Sequence, residues 1–232
     1  MAQKLIVEGD NDIHLISHIC LLKNIEHVVG YEEPVKYKNK FVTKAGGKEE
    51  VKRELKLLLK KGDESITNIG VVLDADSETK NPALDTWLSI RNILLEYGYE
   101  NLPKKPNPQG TIIIQDNKTK IGVWIMPNNL NEGYLEHFFQ ELITKNDEFW
   151  LEAAQITEGF VNDKRNRFSK IAFQKAKVHT WLSWQEKPEL PMGLALKDYG
   201  LLFDLNKEII QFFFEWFKNT FEVEMKHESI NF

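Results

Sequence analysis

The chain has 232 residues, 42% of them hydrophobic and 28% charged, and a formal net charge of −5. That length suffices for one α/β domain with an added lobe. The composition argues against disorder, and the acidic balance excludes a chain-wide basic nucleic-acid binder. It does not exclude a nuclease, because cations neutralise an acidic site and local basic patches meet phosphates. Cys20 is the only cysteine, so an internal disulfide and a cysteine-based zinc site are both ruled out, which suits a reducing cytosol. The N-terminus enters a strand with no charged region and apolar core before it, and the longest apolar run is far shorter than a membrane span. The expectation is a cytoplasmic protein with no membrane contact.

Residues 4–7 read as a first strand, since a short unbroken apolar run ending in charge fits a strand buried on both faces. Glu8 ends it and Gly9 permits a tight turn. Asp10 or Asn11 caps a helix over roughly 11–23, where Ile13, Ile16, Ile19, Cys20 and Leu22 recur at helical spacing. Residues 24–42 read as a connection holding short strands near Val28-Val29 and Lys40–Val42. Ala45–Lys48 is a loop opening a second helix, about 48–61, with Val51, Leu55, Leu58 and Leu59 on one face and lysines on the other; Gly62-Asp63 stops it. Asn68–Leu73 is the second buried strand. Asp74, Asp76 and Glu78 follow it, then a helix over about 81–97 and a loop marked by Pro103, Pro106 and Pro108. Thr111–Gln115 and Lys120–Met126 read as a hairpin turning at Asp116-Asn117, although the second half reads equally well as a central strand. Asn128–Gly133 is a loop and Tyr134–Ile143 a helix. From Asp147 the chain reads as helices over about 147–160, 164–183 and 205–220, with a loop over Gly193–Leu205. This order predicts a mostly parallel sheet flanked by helices: an α/β domain over residues 1–145, with a helical C-terminal extension over 146–232 packed on it.

The chemistry concentrates where the two buried strands end. In open α/β sheets, ligands lie beyond the carboxyl ends of the strands. Glu8 directly follows Leu5-Ile6-Val7 and is not placed for packing. If the strands are parallel neighbours, Glu8 faces Asp74 across the sheet edge. Continued extended geometry puts Asp74 and Asp76 on one side and adds Glu78. Crowded acids repel unless a cation sits between them, and hard oxygen ligands suit Mg²⁺ or Mn²⁺. Bland readings stand beside this: D-x-D as a helix-capping turn, and Asp12 as a favourable charge near a helix N-terminus.

The pair Leu5–Asp12 and Val71–Glu78 resembles the Toprim domain, shared by type IA and II topoisomerases, bacterial primases, recombination-repair proteins and OLD-family nucleases. Its signature is an acid after the first strand and D-x-D, sometimes D-x-D-x-E, after a later one. Glu8, Asp74, Asp76 and Glu78 match it position by position, and the likeness spans roughly residues 1–145, implying a Toprim-like, Rossmann-like fold. Gly122–Pro127, Gly133–Glu136 and His179–Gln185 resemble an uncharacterised Toprim-related family, DUF3226. The likeness to OLD-type nucleases implies that Glu136 and Asp12 also ligate metal. No topoisomerase tyrosine region, Walker loop or zinc ribbon is visible, so a small stand-alone nuclease is what the resemblance implies. It would use Mg²⁺ (or Mn²⁺), cut DNA or RNA in phage defence or DNA repair, and work with an ATPase partner by family analogy. The chemistry implied is two-metal or one-metal: Glu8 and Asp74 would hold the ion that activates water, and Asp76, Glu78 and Glu136 would hold any second one, about 3.5–4 Å away. Lys48, following Gly46-Gly47, and Lys177 are the candidates to steady the phosphate.

Two other readings remain. Lys4–Asp12 and Val71–Asp74 resemble a response-regulator receiver with Asp74 as phosphoacceptor, but the gap between them is long and Asp76 has no role there. A non-catalytic Toprim-like regulatory or scaffold module is the other. His179, Trp181 and Trp184 invite base stacking, but Ala176, Thr180 and Trp184 recur as a buried helix face does, and Phe212–Phe217 reads likewise as core. The run Lys48, Lys52, Arg53, Lys56, Lys60, Lys61 and the patch Lys164, Arg165, Arg167 read as solvated faces that a phosphate backbone would suit.

Overall fold

The computed structural model describes residues 2–23, 42–61, 66–76, 79–169 and 172–223. Five strands form one sheet: β1 (Ala2–Val7), β2 (Val42–Lys44), β3 (Ile66–Asp74), β4 (Thr111–Ile113) and β5 (Lys120–Met126). The spatial order is β2-β1-β3-β5-β4. Only β4 runs antiparallel, pairing with β5. The two readings of Lys120–Met126 are therefore both right, because it pairs with β4 as a hairpin and with β3 as a parallel central strand. The expected strand near Val28-Val29 lies outside the described residues.

The helices are α1 (Asp10–Leu22), α2 (Lys48–Lys61), α3 (Pro82–Glu96), α4 (Leu135–Leu142), α5 (Glu148–Asn162), α6 (Phe173–Ser183), α7 (Met192–Asp198) and α8 (Glu208–Phe221). Alternation along the strands sorts the core into two layers. Leu5, Val7, Val72, Trp124 and Met126 face α1, α4, α6, α7 and α8. Ile6, Val71, Leu73, Val123 and Ile125 face α2 and α3. The chain is thus an α/β fold with a mostly parallel five-stranded sheet between helical layers, of Rossmann-like architecture.

The C-terminal helix α8 lies directly on the sheet. A Cβ at Gly70 would fall within 3 Å of the Phe221 ring, and one at Gly122 within 3 Å of Thr220. The two glycines are the spaces into which α8 fits. Phe213, Trp216, Phe217 and Phe221 fill the layer around Trp124. Trp181 is fully buried, and its indole N–H donates to Asp147 at 2.8 Å. It builds core with Val178 and Leu182, whereas His179 and Trp184 are exposed, so the buried face of this helix is not the expected Ala176, Thr180 and Trp184.

Two helical stretches differ from the sequence pattern. No helix starts at 164: Lys164 has φ of 56° and Arg165 N donates to Phe160 O at 2.9 Å, the wrap-around that closes α5. Residues 192–198 are helical, not loop. Pro191 stands just before the helix, where its missing N–H costs nothing. Gly193 is there because a Cβ would come 2.7 Å from the α1 backbone at Leu15 N.

The layering positions the site. The connection leaving β1 passes to the α1 side and reaches β2; the one leaving β3 passes through α3 on the other side towards β5. The connections diverge between β1 and β3, and that divergence opens a crevice at their carboxyl ends.

Candidate metal centre

β1 and β3 are directly paired and parallel, with Leu5 opposite Gly70 and Ile6 opposite Val71. Glu8 therefore meets the end of β3, and its Oε1 accepts a hydrogen bond from Asp74 N at 2.8 Å. The backbone of Glu8 is held from the other side. Gly46 N and Gly47 N both donate to its carbonyl, at 2.9 and 3.1 Å. Gly46 and Gly47 have φ of 94° and 126°, a region glycine adopts without steric cost, and this turn delivers Lys48 to the start of α2.

Asp12 is the third residue of α1. Its Oδ2 accepts from Gly9 N at 2.9 Å, so it caps the helix as the bland reading supposes. It is also only 7% exposed, and burial pushes its pKa from 3.8 to about 7, with the charges of Glu8 and Glu136 pushing the same way against the Gly9 N–H. Glu136, in the first turn of α4, is 6% exposed. The preceding loop is tied to the end of β3 by a pair of backbone hydrogen bonds between Asp76 and Gly133, at 3.0 and 2.9 Å. That tie brings α4 alongside Asp74. Two helix N-termini, whose dipoles favour negative charge, thus carry Asp12 and Glu136 to one place.

Asp74 is the centre of the set. Burial raises its pKa well above the ordinary value, and the charges of Asp12, Glu8, Glu136 and Asp76 all add to the effect. Its Oδ1 is buried with no hydrogen-bond partner, a costly state for a carboxylate oxygen. Glu8 is raised too, by burial first and then by Asp76, while the Asp74 N–H, Lys48 and Lys52 oppose. Hard oxygen donors with a buried unsatisfied oxygen fit a divalent cation. As the side chains stand, however, no three His, Cys, Asp or Glu among the described residues are grouped closely enough to hold one.

Strand geometry does not continue to Asp76. Its φ is 68°, so the alternation that would align it with Asp74 ends at Asp74. Its Oδ2 accepts from Lys48 Nζ at 2.6 Å. Lys48 also donates to Thr86 Oγ1 at 2.9 Å and to Ala75 O at 3.3 Å. A cleft of about 220 Å³ opens beside the pair, lined by Lys48, Lys52, Asp76, Asp85, Thr86 and Ser89. Glu78 lies outside the described residues.

Lys177 is placed elsewhere. Its Nζ lies over the rings of Trp150 and Phe173, 5.5 and 5.1 Å from their centroids, and burial lowers its pKa. Lys175 is the α6 lysine that reaches the acids, 3.7 Å from Glu136 Oε1. Residues two apart on a helix point to nearly opposite sides, so one position decides the difference, and no motif in the sequence marks it. Thr86 was likewise unmarked, being one hydroxyl among many. The lysine-rich face of α2 is largely ion-paired: Lys52 with Glu49 at 2.6 Å, Arg53 with Glu50, and Lys56 with Glu96 at 2.9 Å. Arg165 pairs with Asp163. Among the described residues no helix is long and apolar enough to cross a membrane.

A family model described as "Protein of unknown function (DUF3226)" matches residues 2–222. Neither a curated protein nor a solved structure matches the chain.

Proposed function

The chain belongs to the DUF3226 family, and from that premise and the crevice between β1 and β3 we propose that it is a Mg²⁺- or Mn²⁺-dependent nuclease of Toprim type, hydrolysing phosphodiesters of DNA or RNA. One observation carries the reading. Glu8 and Asp74 meet across paired strands with Asp12 and Glu136 turned to the same place, and Asp74 Oδ1 is buried without a partner. Acids so crowded are stable as anions only around a cation.

A cation bound there supplies a water of lowered pKa and positive charge for the phosphate oxygens. Asp74, Asp12 and Glu136 would hold it from the α1 and α4 side, and Glu8 from the β1 end. The Asp74 N–H fixes the Glu8 carboxylate in place. Lys48 presents its ammonium beside Asp76, where a phosphate oxygen gaining charge is met.

A second reading, a non-catalytic regulatory module, draws on one observation: among the described residues no ligand trio is assembled. One experiment separates the two. Wild type, Glu8→Ala and Asp74→Ala are incubated with single- and double-stranded DNA and RNA in Mg²⁺ or Mn²⁺. Cleavage by wild type and a loss of at least about 100-fold in both variants supports the nuclease. Equal residual cleavage in all three identifies contamination, and its absence in wild type leaves the module.

A further inference from the structure

The acids of the crevice divide into two groups with different charge balance. Asp12, Asp74 and Glu136 act on one another as charges, and Lys175, 48% exposed, lies 3.7 Å from Glu136. Asp76, whose charge also acts on Asp74 and Glu8, differs from them in having a cation in contact, Lys48 Nζ at 2.6 Å.

The Lys48 ammonium is held as an ion is held. Its three N–H donors meet three oxygens: Asp76 Oδ2, Thr86 Oγ1 and Ala75 O. Thr86, 4% exposed, is itself oriented by donating to Ala75 O at 3.3 Å. Both ends of the contact are anchored. The Gly46 and Gly47 amides on Glu8 O place the start of α2, and the Asp76–Gly133 backbone pair places the carboxylate. Cleaving a phosphodiester needs positive charge at the attacking oxygen and at the leaving one, which two-metal sites supply with two ions. Here a lysine is seated beside Asp76, near enough to Glu8 for its charge to favour the Glu8 carboxylate.

We propose that Lys48 is a built-in second cation: its ammonium, seated on Asp76, Thr86 and the Ala75 carbonyl, takes the place of one metal of a pair, and the crevice takes a single divalent ion, against Asp12, Asp74, Glu136 and Glu8. The inference rests on the metal-dependent reading above. It assigns Lys48 a role in metal stoichiometry that a lysine serving only to bind phosphate would not have.

Manganese titration followed by low-temperature electron paramagnetic resonance tests it without reference to activity. Wild type saturates at one Mn²⁺ per chain with an uncoupled six-line spectrum. Lys48→Met, checked for folding by its thermal melt, admits a second Mn²⁺ and shows an exchange-coupled spectrum. Lys48→Arg, which keeps the charge, stays at one. A coupled pair in wild type refutes the inference and leaves the metal-dependent function standing. A single ion in a folded Lys48→Met also refutes it. No Mn²⁺ bound by folded wild type refutes both.

Discussion

Lowering the pH from 7 to 5 destabilises this protein through His18, where α1 packs on α7. The His18 side chain is 4% exposed and its Nε2 has no hydrogen-bond partner. Its ring stacks on His14, the centroids 6.4 Å apart. Burial pushes its pKa from 6.5 down to about 4, with the charges of His14 and Lys197 acting the same way and Asp198 opposing them. Asp198 is itself engaged by Lys187 at 2.6 Å. In the unfolded chain His18 takes its proton near 6.5. The folded state binds that proton more weakly, so the contribution is complete above pH 6.5 and drains away as pH falls towards 4. At about 1.4 kcal/mol per unit, the loss is about 2 kcal/mol at pH 5 and approaches about 3.4 kcal/mol below pH 4. Urea unfolding at both pH values, on wild type and on His18→Phe, isolates this amount. Phenylalanine keeps a ring of similar size and cannot titrate, and its packing effect is present at both pH values and cancels. Between pH 7 and 5 the variant loses about 2 kcal/mol less than wild type. Equal losses would refute the assignment of the acid sensitivity to His18.

Three further outcomes are expected. Asp74→Asn, measured in chelator at pH 8, melts a few degrees higher than wild type because it removes the central charge from a group of mutually repelling acids; a lower melting point would contradict the crowding argument. Gly122→Ala costs about 1–3 kcal/mol by urea unfolding, since its methyl group meets Thr220 on α8, whereas Gly159→Ala on α5, with nothing within 4 Å, gains about 0.5–1 kcal/mol. Lys177→Ala loses on the order of 1 kcal/mol of stability with its aromatic contacts and leaves divalent-ion binding as in wild type.

Much of the frame could be read before any coordinates. The bounds of α2, 48–61, follow from a glycine turn, a four-lysine face and a strict apolar spacing. The neighbouring strands β1 and β3 follow from two apolar runs that each end in acid. What escaped has local physical causes. α7 hid behind Pro191 and Gly193, residues that break helices in isolation but here start one and let it touch α1. α6 starts later than its pattern because Lys164 takes a left-handed backbone. At the crevice, the period-2 rule stops where Asp76 leaves extended geometry, so the separation of Asp76 from Asp74, and its capture by Lys48, had no sequence signal. Glu136 is brought to Asp74 by the Asp76–Gly133 tie, a contact across 57 residues that no local pattern encodes.

Calorimetric titration of Mg²⁺ or Mn²⁺ into the purified chain at pH 8, with Asp74→Asn alongside, asks whether the crowded acids exist to hold a cation. Saturable binding to wild type at up to millimolar concentration, abolished in Asp74→Asn, is the predicted result. A folded wild type that takes up no divalent ion in that range would contradict it, and the nuclease reading would fall with it.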